Sequence, residues 1–145
     1  MAPVVVATDS SACLPRDLAE VWGVLVAPLQ VIIDDEAFDE AFDADGGIAP
    51  EAVVQALLAG RRVSTSQPGP AALLAVIEQA AAAGGTELVF VALSGKISGT
   101  AQAMEAASAS APLTVTVVDS GTVSLAAGLA AAVRQAVGAH PVSGH

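Results

Sequence analysis

LVFVALSGKISGTAQA, residues 88–103, decides the fold. Leu88 to Leu93 is an unbroken apolar run with β-branched and aromatic members, the pattern of a strand buried on both faces. Ser94 to Gly99 is polar and glycine-bearing, and from Thr100 the chain turns Ala-rich with helical spacing. A buried strand, a hydroxyl-rich loop and a helix are the parts of a crossover unit. The stretch therefore points to an α/β protein with a parallel sheet.

The rest of the chain repeats that alternation. Val4 to Ala7 reads as a buried strand ending in Thr8-Asp9-Ser10-Ser11, and Pro15 opens a helix that Gly23 stops. Val24 to Ala27 is strand-like, and Leu29 to Ile33 continues extended after Pro28, which argues against one unbroken central strand. Residues 34–47 read as an acidic loop. A helix then starts around Pro50, with Val53, Leu57 and Leu58 on one face. Ser64-Thr65-Ser66-Gln67-Pro68 precedes a further helix, with Pro68 as its opener and Leu73, Ile77 and Ala80 at helical spacing. Leu113 to Val118 is the last strand-like run; it leads to Asp119-Ser120 and a helix ending near Gly138. The expected fold is α/β, a mostly parallel sheet with helices on both faces. One domain spans residues 1–138, and 139–145 form a mobile tail.

Composition narrows the function classes. The chain has 145 residues, 54% hydrophobic and 14% charged, which excludes disorder. The net charge of −10 repels nucleic-acid phosphates and anionic membranes, so neither is expected as a partner. The single cysteine, Cys13, excludes an internal disulfide and is expected to be a buried or half-buried thiol, as suits a reducing cytoplasm. The N-terminus lacks the basic region of a signal peptide, and no apolar stretch is long enough for a stable membrane span.

Ligands of parallel α/β sheets bind at the carboxyl ends of the strands. Ser10, Ser94 to Thr100 and Asp119 fall at those ends, and Thr65-Ser66 sits before a helix that could bring it to the same edge. Hydroxyls and free N–H groups at a helix start can hold an anion, and Gly95 and Gly99 let a ligand approach the backbone. The same residues also serve as ordinary helix caps. Asp9 and Asp119 each end a strand, where they act as a base or, more commonly, brace a loop. Arg61 and Arg62 are candidates to draw an anion. Sharper chemistries fail. Gly95-Lys96 is followed by Ile97 rather than Ser or Thr, so no Walker A loop is present. The fingerprint G-x-G-x-x-G is absent after the first strand, and Ser98 lacks the G-x-S-x-G context. The histidines, His140 and His145, lie in the tail, which disfavours a Ser–His relay. Aligned to a calcium loop, the acidic segment puts Ala41 and Ala52 at ligand positions, so no metal site is expected. No cofactor is expected either. The residues alone leave open a binding protein or enzyme for a small phosphorylated metabolite.

Thr8-Asp9-Ser10-Ser11-Ala12, Ala27-Pro28-Leu29, Thr65-Ser66-Gln67-Pro68, Ser98-Gly99-Thr100 and Val118-Asp119-Ser120 occur in this order. The set resembles the DegV family of bacterial fatty-acid-binding proteins. The resemblance implies an apolar tunnel for a long-chain fatty acid, whose carboxylate is hydrogen-bonded at the mouth by Thr65 and Ser98, with Ser66, Gly99 and Thr100 nearby. It implies a carrier without catalytic residues; some members present the fatty acid to a fatty acid kinase for phospholipid synthesis. It also implies a second α/β domain, which is expected to be absent from this chain. The chain is expected to be a fragment of a longer protein or a naturally short form. Alone, its exposed apolar face would drive formation of a homodimer.

Overall fold

A computed structural model describes residues 3–41 and 47–124. The chain runs β1 (Val4–Asp9), α1 (Arg16–Trp22), β2 (Val24–Ala27), β3 (Gln30–Ile33), β4 (Glu36–Asp39), α2 (Pro50–Leu58), β5 (Val63–Ser66), α3 (Pro70–Ala82), β6 (Glu87–Ala92), α4 (Thr100–Ala107) and β7 (Thr114–Asp119). The expected last helix beyond Ser124, the tail with both histidines, and the centre of the acidic segment lie outside the described residues.

The strands form two sheets. The larger has the order β2-β1-β6-β7, all parallel. Its inner strands alternate between two cores, as the two-residue period of a strand requires. Leu88, Phe90 and Ala92 of β6 face Leu73, Val76, Ile77 and Ala80 of α3 and Met104 of α4. Val89 and Val91 face Leu14, Ala19 and Val24 on the α1 side. Helices thus cover both faces, as the sequence predicts.

The second sheet, β4-β3-β5, is antiparallel and was not expected. It takes up Gln30 to Ile33, Glu36 to Asp39 of the segment read as an acidic loop, and the Thr65-Ser66 stretch. The loop reading fails because Asp34 and Asp35 both adopt positive φ, 47° and 74°, and close a tight hairpin from β3 into β4. Arg61 and Arg62 secure that turn. Arg61 Nε donates to Asp34 Oδ2 at 2.8 Å and Arg62 Nη2 to Asp35 Oδ2 at 3.0 Å. The two arginines therefore pair with the aspartates of the β3–β4 turn.

Three smaller expectations are also corrected. The helix after Thr65-Ser66 starts at Pro70, not Pro68; Pro68 is buried between the strand and the helix. On α2, the face turned inward is Val53 and Ala56, packed on Val31 and Ile33, while Leu57 and Leu58 are exposed. Cys13 is an exposed thiol, because φ of 51° turns it outward at the end of the short 3-10 turn after β1.

Candidate functional site

Every strand of the parallel sheet ends at one edge, and the polar clusters gather there. β1 ends in Asp9, whose carboxylate is buried and fully engaged. It accepts the N–H and the hydroxyl of Ser11 and, across the sheet, the Leu93 N–H at 2.8 Å. Burial pushes this carboxyl above its ordinary range, against the opposing pull of the Ser11 and Leu93 hydrogen bonds. Asp9 braces the end of β6 and is enclosed by protein, unlike a base poised for a substrate.

From Leu93 the chain forms a tight loop before α4. Ser94 N–H donates to Thr122 O at 2.9 Å, Gly95 N–H donates to both carboxylate oxygens of Asp119 at 3.1 Å, and Ile97 and Ser98 N–H donate back to Ser94 O. Ser94 itself is buried, its Oγ accepting the Lys96 N–H at 3.3 Å. Ser98 Oγ lies 2.8 Å from Thr100 Oγ1 and accepts the Thr100 N–H at 3.2 Å. Thr100 is fully buried. The loop thus turns Ser98 and Gly99 outward at the positive end of α4.

β5 brings the second hydroxyl cluster to the same place. Its register on β3 pairs Thr65 with Val31 and Ser66 with Gln30. The chain then passes Gln67 and buried Pro68 into α3. A side chain at Gly99 would bring a Cβ within 2.5 Å of Gln67 Oε1, so the glycine is what lets the two segments meet. Together, Leu29, Thr65, Ser66, Gln67, Leu93, Ile97, Ser98 and Gly99 line a cleft of about 350 Å³. A more apolar groove of about 420 Å³ lies between α3 and α4 and shares Gln67 with it.

Of the residues singled out from the sequence, Thr65, Ser66, Ser98 and Gly99 line the cleft. Thr100 and Ser94 lie behind it, within the loop's own hydrogen bonds. Ser10 lines a different recess: its hydroxyl donates to Glu40 Oε2 at 2.5 Å and accepts the Leu29 N–H at 2.8 Å, tying the two sheets together. Asp119 reaches the loop's backbone, not the cleft lining. Gln67, Leu29, Leu93 and Ile97 were not singled out as site residues. The signal for Gln67 and Leu29 was present, since both lie within the ordered motifs; Leu93 and Ile97 read only as apolar neighbours of the serines.

Chemically, the cleft offers hydroxyl donors beside an apolar rim, and among the described residues its lining has no titratable side chain. Hydroxyl and amide donors can satisfy an anion without a formal cation. Among the described residues no helix is long and apolar enough to cross a membrane.

The fold that carries this cleft is shared with known proteins. The chain belongs to the DegV family: the family's model, described as an uncharacterised protein of the DegV family, matches residues 3–137. A DegV domain-containing protein of Streptomyces coelicolor is 35% identical over 128 residues, 88% of this chain and 44% of the relative. A DegV family protein from Thermus thermophilus, described by its fatty acid binding, superposes with a TM-score of 0.79 at 32% identity over 93% of this chain and 47% of its own. DegV of Bacillus subtilis, a fatty acid binding protein, gives a TM-score of 0.85 at 26% identity over 99% of this chain and 50% of its own. The chain thus spans about half the length of the relatives it matches.

Proposed function

We propose that this chain binds a long-chain fatty acid, with the carboxylate held by the hydroxyls of Thr65 and Ser98 and the Gly99 backbone. One observation carries the reading: β5 of the antiparallel sheet and the loop after β6 of the parallel sheet bring Thr65, Ser66, Ser98 and Gly99 to a single cleft with apolar members Leu29, Leu93 and Ile97. Fatty acid binding by the similar Thermus thermophilus and Bacillus subtilis proteins supports it. Each methylene of the tail that leaves water adds roughly 0.8 kcal/mol. The tail's full cover needs more apolar wall than the cleft supplies, of the kind that a further domain or a second copy of the chain provides.

In this reading the chain carries its ligand without transforming it. Among the described residues the cleft lining offers no acid or base to activate a nucleophile. A partner such as a fatty acid kinase would perform chemistry on the presented carboxylate.

The test is calorimetric titration with oleate. Replacing both donors, Thr65→Ala with Ser98→Ala, is expected to cost about 2–5 kcal/mol of binding free energy. Undiminished affinity would contradict the assignment. A response to sugar phosphates, with none to oleate, would favour a phosphorylated metabolite instead.

A further inference from the structure

Asp119 is exposed, yet it spends its carboxylate on backbone rather than on solvent. Both oxygens accept the Gly95 N–H at 3.1 Å, and Oδ1 also accepts the Gly121 N–H at 2.9 Å. These donors, Gly121 first and Gly95 second, hold the carboxyl below its ordinary range, with a smaller contribution from the Lys96 charge. On the other side of β6, the Asp9 carboxylate takes the Leu93 N–H. The loop carrying Ser98 is therefore gripped from both neighbouring strands, at Leu93 from β1 and at Gly95 from β7.

The grip depends on glycine. A Cβ at position 95 would lie 2.6 Å from Asp119 Oδ2, closer than such atoms approach. Gly95 and Asp119 are thus a matched pair. Their join lies three residues before Ser98, and the intervening N–H groups of Ile97 and Ser98 close back on Ser94. Gly95 thus anchors the start of the loop whose later turns, through Ser94 O and Thr100, aim Ser98 Oγ and the Gly99 backbone.

We infer that Asp119, acting through Gly95, is a positioning residue that sets the cleft's preference for a carboxylate head group over an uncharged one. The inference rests on the fatty acid reading above. Asp119 lies outside the cleft lining, and its carboxylate is engaged by the Gly95 and Gly121 N–H groups, so its role in this reading is to place the loop. Loosening the grip lets the loop shift, so that Ser98 and Gly99 no longer converge with Thr65. A carboxylate needs several donors at once and loses most, whereas a tail contact is indifferent to the shift.

The experiment compares oleate with oleyl alcohol, which share the tail, on the purified chain by calorimetry. Two variants loosen the grip differently. Asp119→Asn places an amide where the second acceptor was, and Gly95→Ala forces the carboxylate away with its charge intact. Both are expected to weaken oleate roughly tenfold while leaving oleyl alcohol nearly unchanged. An unaltered ratio between the two ligands in both variants would overturn the inference, as would an equal loss of both ligands, which marks general damage to the fold. A wild-type chain that does not prefer oleate would instead overturn the carboxylate reading itself, and this inference with it.

Discussion

The two sheets of this chain are built to different depths. In the parallel sheet, Val6, Ala7, Thr8 and Asp9 of β1 and Leu88, Phe90, Val91 and Ala92 of β6 are all but closed to solvent. Two layers of helix press on them. Even the polar Thr8 is satisfied, donating to Val91 O at 2.8 Å. In the antiparallel sheet, among the described residues, only Val31 and Ile33 are buried, β4 is largely exposed, and one short helix, α2, lies against it. The cleft is made where these two meet. Ser98 belongs to the stiff side, held by strand-end carboxylates; Thr65 belongs to the thin side and is exposed. The difference teaches that one donor is pre-positioned by a deep core and the other by an edge strand of a thin sheet.

The largest expected effect tests the deep sheet. Phe90→Ala should cost about 3–5 kcal/mol in denaturant unfolding, because it removes the central side chain of the core beneath α3 and α4. Ile33→Val, which deletes a single methyl from the thin sheet's core, should cost about 0.5–1.5 kcal/mol. Native-state amide exchange sharpens the contrast without mutation. Amides of β1 and β6 should exchange only through global unfolding, and those of β4 and β5 through local opening at lower free energy. Equal protection in both sheets would dissolve the distinction.

The smallest effect is in acid. Asp34, in the hairpin, is held below its ordinary pKa of 3.8, first by the Arg61 hydrogen bond and then by the Arg62 N–H. Its stabilising contribution is therefore present above that value and is lost as pH falls through the lower folded value. Asp9, in the deep sheet, runs the other way. Burial raises its pKa from 3.8, so its ionisation opposes folding as pH rises through the raised value. Carboxyl chemical shifts followed from pH 7 to 2 should show Asp9 titrating above Asp34. The reverse order would mean that the environments are exchanged.

The same contrast explains what the sequence let one read. β6 and α3 announce themselves because buried elements must be apolar in a regular pattern: an unbroken run for Leu88 to Leu93, and helical spacing for Leu73, Ile77 and Ala80. β4 is written Glu-Ala-Phe-Asp, and β5 Val-Ser-Thr-Ser, because strands exposed along one face need little hydrophobic signal. The Asp34-Asp35 turn hid the hairpin, since its partners, Arg61 and Arg62, lie far along the chain. On α2, Leu57 and Leu58 suggested the wrong inner face; only the packing against Val31 and Ile33 selects Ala56 instead.

At the site, the polar clusters were legible because hydroxyls and glycines stood at successive strand ends. Which of them would be spent on bracing was not. Ser10 is occupied by Leu29 and Glu40, and Asp119 by Gly95, through contacts whose partners are set by topology. Gln67 likewise gains its place only when Gly99 comes to meet it.

The most direct test of the central claim is to denature the purified protein, extract it with organic solvent and identify the extract by mass spectrometry. The account predicts one predominant long-chain fatty acid in near-stoichiometric amount, reduced in the Thr65→Ala, Ser98→Ala variant. An extract without fatty acid, or one equally loaded from that variant, would contradict it.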